Sequence, residues 1–172
     1  MLEDSKRAIG LLDSGVGGLT VAREIFRLLP EEDIIYYGDT LHLPYGPKDL
    51  NLVRKYVEEI INYLILEKDV KAVVIACNTA TSAALDYVKS KFKIPIFGMI
   101  DSAAKKAVQM SNKQRIAVIG TEGTVNSQAY QNAIKKMDKE SRVFSKACPK
   151  FVELVEEGKF SGREVRKTAE NY

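Results

Sequence analysis

At 172 residues and 19.2 kDa, the chain has room for one ordinary domain or two small ones, and a stable core at this size needs neither disulfides nor a metal. A composition of 45% hydrophobic and 28% charged residues is that of a globular protein and excludes the disordered and low-complexity classes. Twenty-six Lys+Arg against 23 Asp+Glu leave +3, spread along the chain, which argues against a nucleic-acid or anionic-membrane partner.

Met1 to Arg7 is polar, and no run approaches the ~20 apolar residues of a membrane span, so a cytoplasmic protein without a membrane partner is expected. Cys77 and Cys148 are too far apart for a zinc framework, and His42 is the sole histidine. No metal site is expected.

In chain order, Ala8 to Leu12 reads as a strand that meets the Gly-rich turn Asp13-Ser14-Gly15-Val16-Gly17-Gly18. Leu19, Ala22, Ile25, Phe26 and Leu29 then recur at helical spacing up to Pro30. Ile34 to Tyr37 is a second strand, opening into a long irregular loop from Gly38 to Pro47. Val53, Val57, Ile60, Ile61 and Leu64 mark one face of a helix, Ala72 to Ala76 is an apolar strand, and Ala80 to Phe92 a helix. Ile94 to Ile100 predicts a strand, Ser102 to Met110 a helix, Arg115 to Ile119 a strand and Val125 to Met137 one continuous helix. Beyond Lys139 the pattern weakens, with a strand over Ser141 to Ala147 and helices over Phe151 to Glu157 and Gly162 to Tyr172. Alternating strands and helices with apolar strands mean an α/β fold on parallel sheet, with helices on both faces.

Ligands of such sheets bind at the carboxyl ends of strands. Asp13-Ser14, Cys77-Asn78-Thr79 and Thr121 with Thr124 lie at three of these ends, where hydroxyls, amides and helix N-termini suit a carboxylate ligand. The Gly15 to Gly18 turn is neither G-x-G-x-x-G nor a P-loop and reads as a tight strand-to-helix turn. Asp13 at a strand end suits a helix cap and a functional carboxylate equally. Cys77 is either a small buried hydrophobe or a reactive thiol whose pKa the helix N-terminus lowers below about 8.5. Cys148 reads as a buried residue, Lys48 as a solvated lysine and His42 as an ordinary loop residue, because no partner for its imidazole is visible.

Taken together, five segments resemble the bacterial glutamate racemases in order and spacing. They are Leu12 to Thr20; Gly38-Asp39-Thr40 with Pro44-Tyr45-Gly46; Ala76-Cys77-Asn78-Thr79-Ala80; Ile119-Gly120-Thr121 with Thr124; and Ala147-Cys148-Pro149 with Val155-Glu156-Glu157-Gly158. The resemblance implies a cofactor-independent racemase of the aspartate/glutamate family, with two similar parallel-sheet lobes and the active site between them. Two thiols would face opposite sides of the substrate Cα, one removing a proton and the other returning one. A single base hands the proton back to the face it came from, so inversion needs a second donor.

By the same resemblance Cys77 is one thiol, Asp13 orients it, and Ser14, Pro44, Tyr45, Gly46, Asn78 and Thr79 hold the substrate. Thr121 and Thr124 add contacts from the second lobe, and Glu156 is an acidic catalytic residue beside the other thiol. The family's role would be D-glutamate supply for peptidoglycan, with glutamate as small-molecule partner and room for a homodimer.

Three departures accompany the resemblance. Leu41-His42 stands where the family has Ala-Arg, and Asp101-Ser102 where it has Glu-Pro. The family's second catalytic cysteine, in a Gly-Cys-Thr-His segment, has no counterpart, and Cys148 does not match that position. The expectation is a C-terminally truncated racemase, weakly active or inactive, with a first lobe over 1–100 and an incomplete second lobe over 101–172. The alternatives are an aspartate racemase or other superfamily member, and a catalytically dead carboxylate-binding or interaction protein.

Overall fold

A computed structural model describes residues 6–172; Met1–Ser5, part of the polar N-terminal segment, lie outside the described residues. The chain divides into two compact units, Met1–Met99 and Ile100–Tyr172.

The first unit carries β1 (Ile9–Asp13), α1 (Leu19–Leu28), β2 (Ile34–Gly38), α2 (Leu50–Leu66), β3 (Ala72–Ile75), α3 (Asn78–Lys91) and β4 (Ile96–Gly98). Its strands form one parallel sheet in the order β2-β1-β3-β4, with Asp13 opposite Gly38 at the carboxyl edge. Alternation along the strands divides the side chains between two faces. Leu12, Val73 and Ile75 pack with Val53, Val57, Ile61 and Leu64 of α2 and with Ala80, Ala84 and Val88 of α3. Leu11 and Val74 turn the other way, onto Ala22 and Ile25 of α1. Helices therefore cover both faces, the arrangement that lets β3 be wholly apolar.

The second unit carries α4 (Ile100–Met110), β5 (Arg115–Gly120), α5 (Glu122–Asn126), α6 (Ala129–Met137), β6 (Arg142–Ala147), α7 (Lys150–Glu156) and α8 (Arg163–Glu170). Strands β5 and β6 pair in parallel, from Arg115 opposite Arg142 to Gly120 opposite Ala147. Ile116 and Val118 pack with Ala104 of α4 and Ile134 of α6.

Two expected elements differ. The seven-residue strand over Ile94 to Ile100 shrinks to Ile96–Gly98, since Pro95 has no N–H for a ladder and offers only its carbonyl, to Val73. The continuous helix over Val125 to Met137 is broken between α5 and α6. The Ser127 hydroxyl donates to the Thr124 carbonyl and accepts from the Ala129 N–H, while Gln128 takes the left-handed conformation at φ 56°. Side-chain competition for backbone groups of this kind disfavours a helix interior.

Candidate functional site

The order β2-β1-β3 gathers three strand ends of the first unit. The Asp39 N–H donates to the Asp13 carbonyl at 2.9 Å and the Ala76 N–H to the Leu12 carbonyl at 2.8 Å, so the turns leaving β1, β2 and β3 are joined directly.

Cys77 caps α3, which begins two residues before the expected Ala80, and its sulfur accepts the Ala80 N–H at 3.4 Å. The Ser14 hydroxyl lies 3.7 Å from the sulfur, and the residue is 8% exposed. The helix N-terminus is thus where the sequence put it, but its effect on the thiol is outweighed. Burial pushes the Cys77 thiol above its ordinary value and the Asp13 charge adds to this, while hydrogen bonds from Ala80, Ser14 and Thr79 pull it down by less. Of the two readings of Cys77, burial is observed, and the lowering that a helix N-terminus alone would produce is not. Asn78 is exposed at the start of α3, and Thr79 beside it is buried.

Asp13 serves the turn of its own strand. Its Oδ2 accepts the Gly18 N–H at 2.8 Å, the Gly15 N–H at 3.3 Å and the Tyr36 hydroxyl at 3.4 Å. Tyr36 also donates to the Gly15 carbonyl at 2.8 Å. A Cβ on Gly18 would meet the Asp13 Cβ at 2.7 Å and the Ala76 Cβ at 3.0 Å, which explains glycine here.

In the loop after β2, Tyr45 and Gly46 are buried and Pro44 is exposed. The Tyr45 hydroxyl donates to Asp39 Oδ2 at 2.5 Å. Burial, reinforced by that bond, pushes the Tyr45 phenol far above its ordinary value. His42 is not the unpartnered residue expected. Its Nδ1 lies 2.9 Å from both Asp39 oxygens, and its ring stacks on Tyr56 at 3.9 Å. A carboxylate only accepts, so Nδ1 carries the proton. Asp39, to which the sequence reading assigns no role, therefore ties this loop together; its signal in the sequence is a carboxylate followed at three and six residues by His and Tyr.

In the second unit, Thr121 caps α5, its hydroxyl oxygen accepting the Thr124 N–H at 3.1 Å and donating to the Thr124 hydroxyl oxygen at 3.0 Å. Glu156 ends α7 and is half-buried. Cys148 is buried, and its thiol donates to the Lys146 carbonyl at 3.6 Å. Among the described residues no group of three or more His, Cys, Asp and Glu is arranged to hold a metal, and no helix is long and apolar enough to cross a membrane.

A parallel α/β sheet whose strand ends carry a helix-capping cysteine beside an Asp-Ser-Gly turn defines the class. Residues 9–171 match the family model for Asp/Glu/hydantoin racemases, and the chain belongs to that family. It is similar to a glutamate racemase from Carnobacterium sp. (strain St2), 49% identical over 94% of this chain and 60% of the relative. It is 46% identical to one from Geobacter metallireducens, over 96% of this chain and 61% of the relative. A solved glutamate racemase from Francisella tularensis subsp. tularensis, in complex with D-glutamate, superposes with a TM-score of 0.87 at 38% identity, over 98% of this chain and 62% of that one. The chain thus spans about 60% of the length of the curated relatives it matches.

Proposed function

We propose that these residues carry one half of a two-thiol site for interconverting L- and D-glutamate, the step that would supply D-glutamate to peptidoglycan. The observation that carries the reading is the Cys77 thiol, capping α3 at 3.7 Å from the Ser14 hydroxyl, in a chain 46–49% identical to glutamate racemases. D-Glutamate in the Francisella structure supports glutamate over aspartate as the substrate.

In this reading Cys77 exchanges a proton with one face of the substrate Cα. Asp13 and Ser14 orient the sulfur, and Pro44, Tyr45, Gly46, Asn78 and Thr79 surround the carboxylates and the ammonium. Thr121, Thr124 and Glu156 are the candidates of the second lobe, 101–172, as the residues above are those of the first, 1–100. A buried thiol with a raised pKa is a poor base by itself. A substrate ammonium beside it supplies the positive charge that favours thiolate. In this reading no cofactor takes part, and the proton moves between sulfur and carbon.

The 172 residues contain two cysteines, and the bond from Cys148 to a backbone carbonyl supports a structural part for it. A polypeptide of these residues is therefore expected to wash the Cα hydrogen of one glutamate enantiomer into D₂O without racemising it. Proton NMR follows the exchange, chiral chromatography follows inversion, and aspartate serves as competitor. Cys77→Ser should abolish exchange. Exchange that survives this substitution removes Cys77 from the role, and full racemisation by the 172-residue chain removes the one-thiol reading.

A further inference from the structure

One cavity of the first unit is not lined by Cys77, Asp13, Ser14 or Thr79, and it opens between the end of β2 and one face of α2, with a volume of about 370 Å³. That size is ample for a small organic ligand. Helix α2 supplies Tyr56, Glu59, Ile60 and Tyr63, whose spacing of three, four and seven residues aligns them in one stripe. From the β2 side come Tyr37 and the Asp39 carboxylate.

Three phenol rings line the cavity, with one face of the Tyr56 ring stacked on His42, two carboxylates give it negative charge, and no lysine or arginine lines it. The imidazole of His42 also faces the cavity, already bound to Asp39. Tyr37 and Tyr63 meet edge to face at 5.7 Å. At the margin the chain sets an ammonium of its own against this surface, with Lys68 Nζ 5.5 Å from the centre of the Tyr63 ring. Rings of this kind attract cations through their quadrupole, and more strongly where water is partly excluded. A hard inorganic cation needs several oxygen ligands, and only two carboxylates line this cavity. An anion such as glutamate would be repelled by Asp39 and Glu59.

We propose that this cavity binds a small organic cation, an alkylammonium of about the size of choline, with its ammonium against the tyrosine rings and within the field of Glu59 and Asp39. The site is separate from the proposed glutamate site, although Asp39 also holds the Tyr45 hydroxyl of the substrate loop.

The test titrates choline, and its neutral carbon isostere 3,3-dimethylbutan-1-ol, into the isotope-labelled 172-residue protein at constant ionic strength. Choline is expected to shift the resonances of Tyr37, Tyr56 and Tyr63 and to bind about tenfold more tightly than the isostere. Glu59→Gln, at an exposed position, should weaken choline about threefold and leave the isostere unaffected. Tyr56→Leu should weaken choline further. Equal affinity for the two compounds, shifts confined to other residues, equal displacement of choline by potassium, or no saturable choline binding would each overturn the proposal. So would unchanged choline affinity in Glu59→Gln, which does not depend on whether Tyr56→Leu folds.

Discussion

The balance at Cys77 is between a helix end, which favours thiolate, and burial beside a carboxylate, which opposes it. Burial prevails. The unfolded chain releases this proton near pH 8.5, whereas the folded chain holds it to higher pH. The stability arising from this difference is therefore complete below about pH 8.5 and declines as pH rises toward the folded value. Urea midpoints across pH 7 to 10 should fall more steeply for the wild type than for Cys77→Ala. Alkylation followed by peptide mapping should find Cys77 slow at pH 8. A Cys77 that reacts as fast as a free peptide thiol would contradict both expectations.

Tyr45, 1% exposed, gives its hydroxyl proton to a buried carboxylate. Tyr45→Phe keeps the ring and removes one donor from Asp39, so a loss of about 1–3 kcal/mol in urea unfolding is expected. These residues were unequally legible in the sequence. Cys77, Ser14 and Asp13 stand out because polar residues at the ends of apolar strands are conspicuous. Asp39 and His42 do not, because their pairing depends on the path of a loop rich in Gly and Pro.

At the scale of elements, hydrophobic patterning located the strands and helices of the first unit among the described residues, since each is apolar on a face that packs against another. It fails where local hydrogen bonding overrides it. Val125 and Ile134 suit one continuous helix, yet the Ser127 hydroxyl takes up backbone groups on both sides and the chain turns at Gln128. A non-glycine residue at positive φ is strained by its Cβ, at a cost of roughly 1–2 kcal/mol. Gln128→Gly should raise the melting temperature slightly and Gln128→Val should lower it. The reverse order would mean that the left-handed turn is absent in solution.

At the scale of the whole molecule, each unit leaves apolar sheet surface exposed. Helices pack on both faces of the first sheet, yet Phe97, in register with Val74 on the α1 face, is 55% exposed, and on the β5-β6 pair the face bearing Ile119 and Phe144 is open, with these residues 64% and 52% exposed. Arg115 lies over the Phe144 ring at 5.5 Å, which shields it only in part. Parallel sheets are ordinarily covered on both faces, and apolar patches of this kind promote association. Sedimentation velocity should show concentration-dependent self-association that Phe144→Lys reduces. A monomer at every concentration would contradict this.

By itself the sequence determined the α/β class, the order of elements and the residues at the strand ends, because apolar periodicity and Gly-rich turns are local properties written along the chain. Its motifs also carried the likeness to glutamate racemases. Only the tertiary structure decided how those residues act on one another. The three turns meet because β1 lies between β2 and β3, Asp39 closes its loop through two side chains, and burial reverses the expected direction of the thiol pKa. Such outcomes depend on through-space distance and exclusion of water, which a linear pattern does not specify.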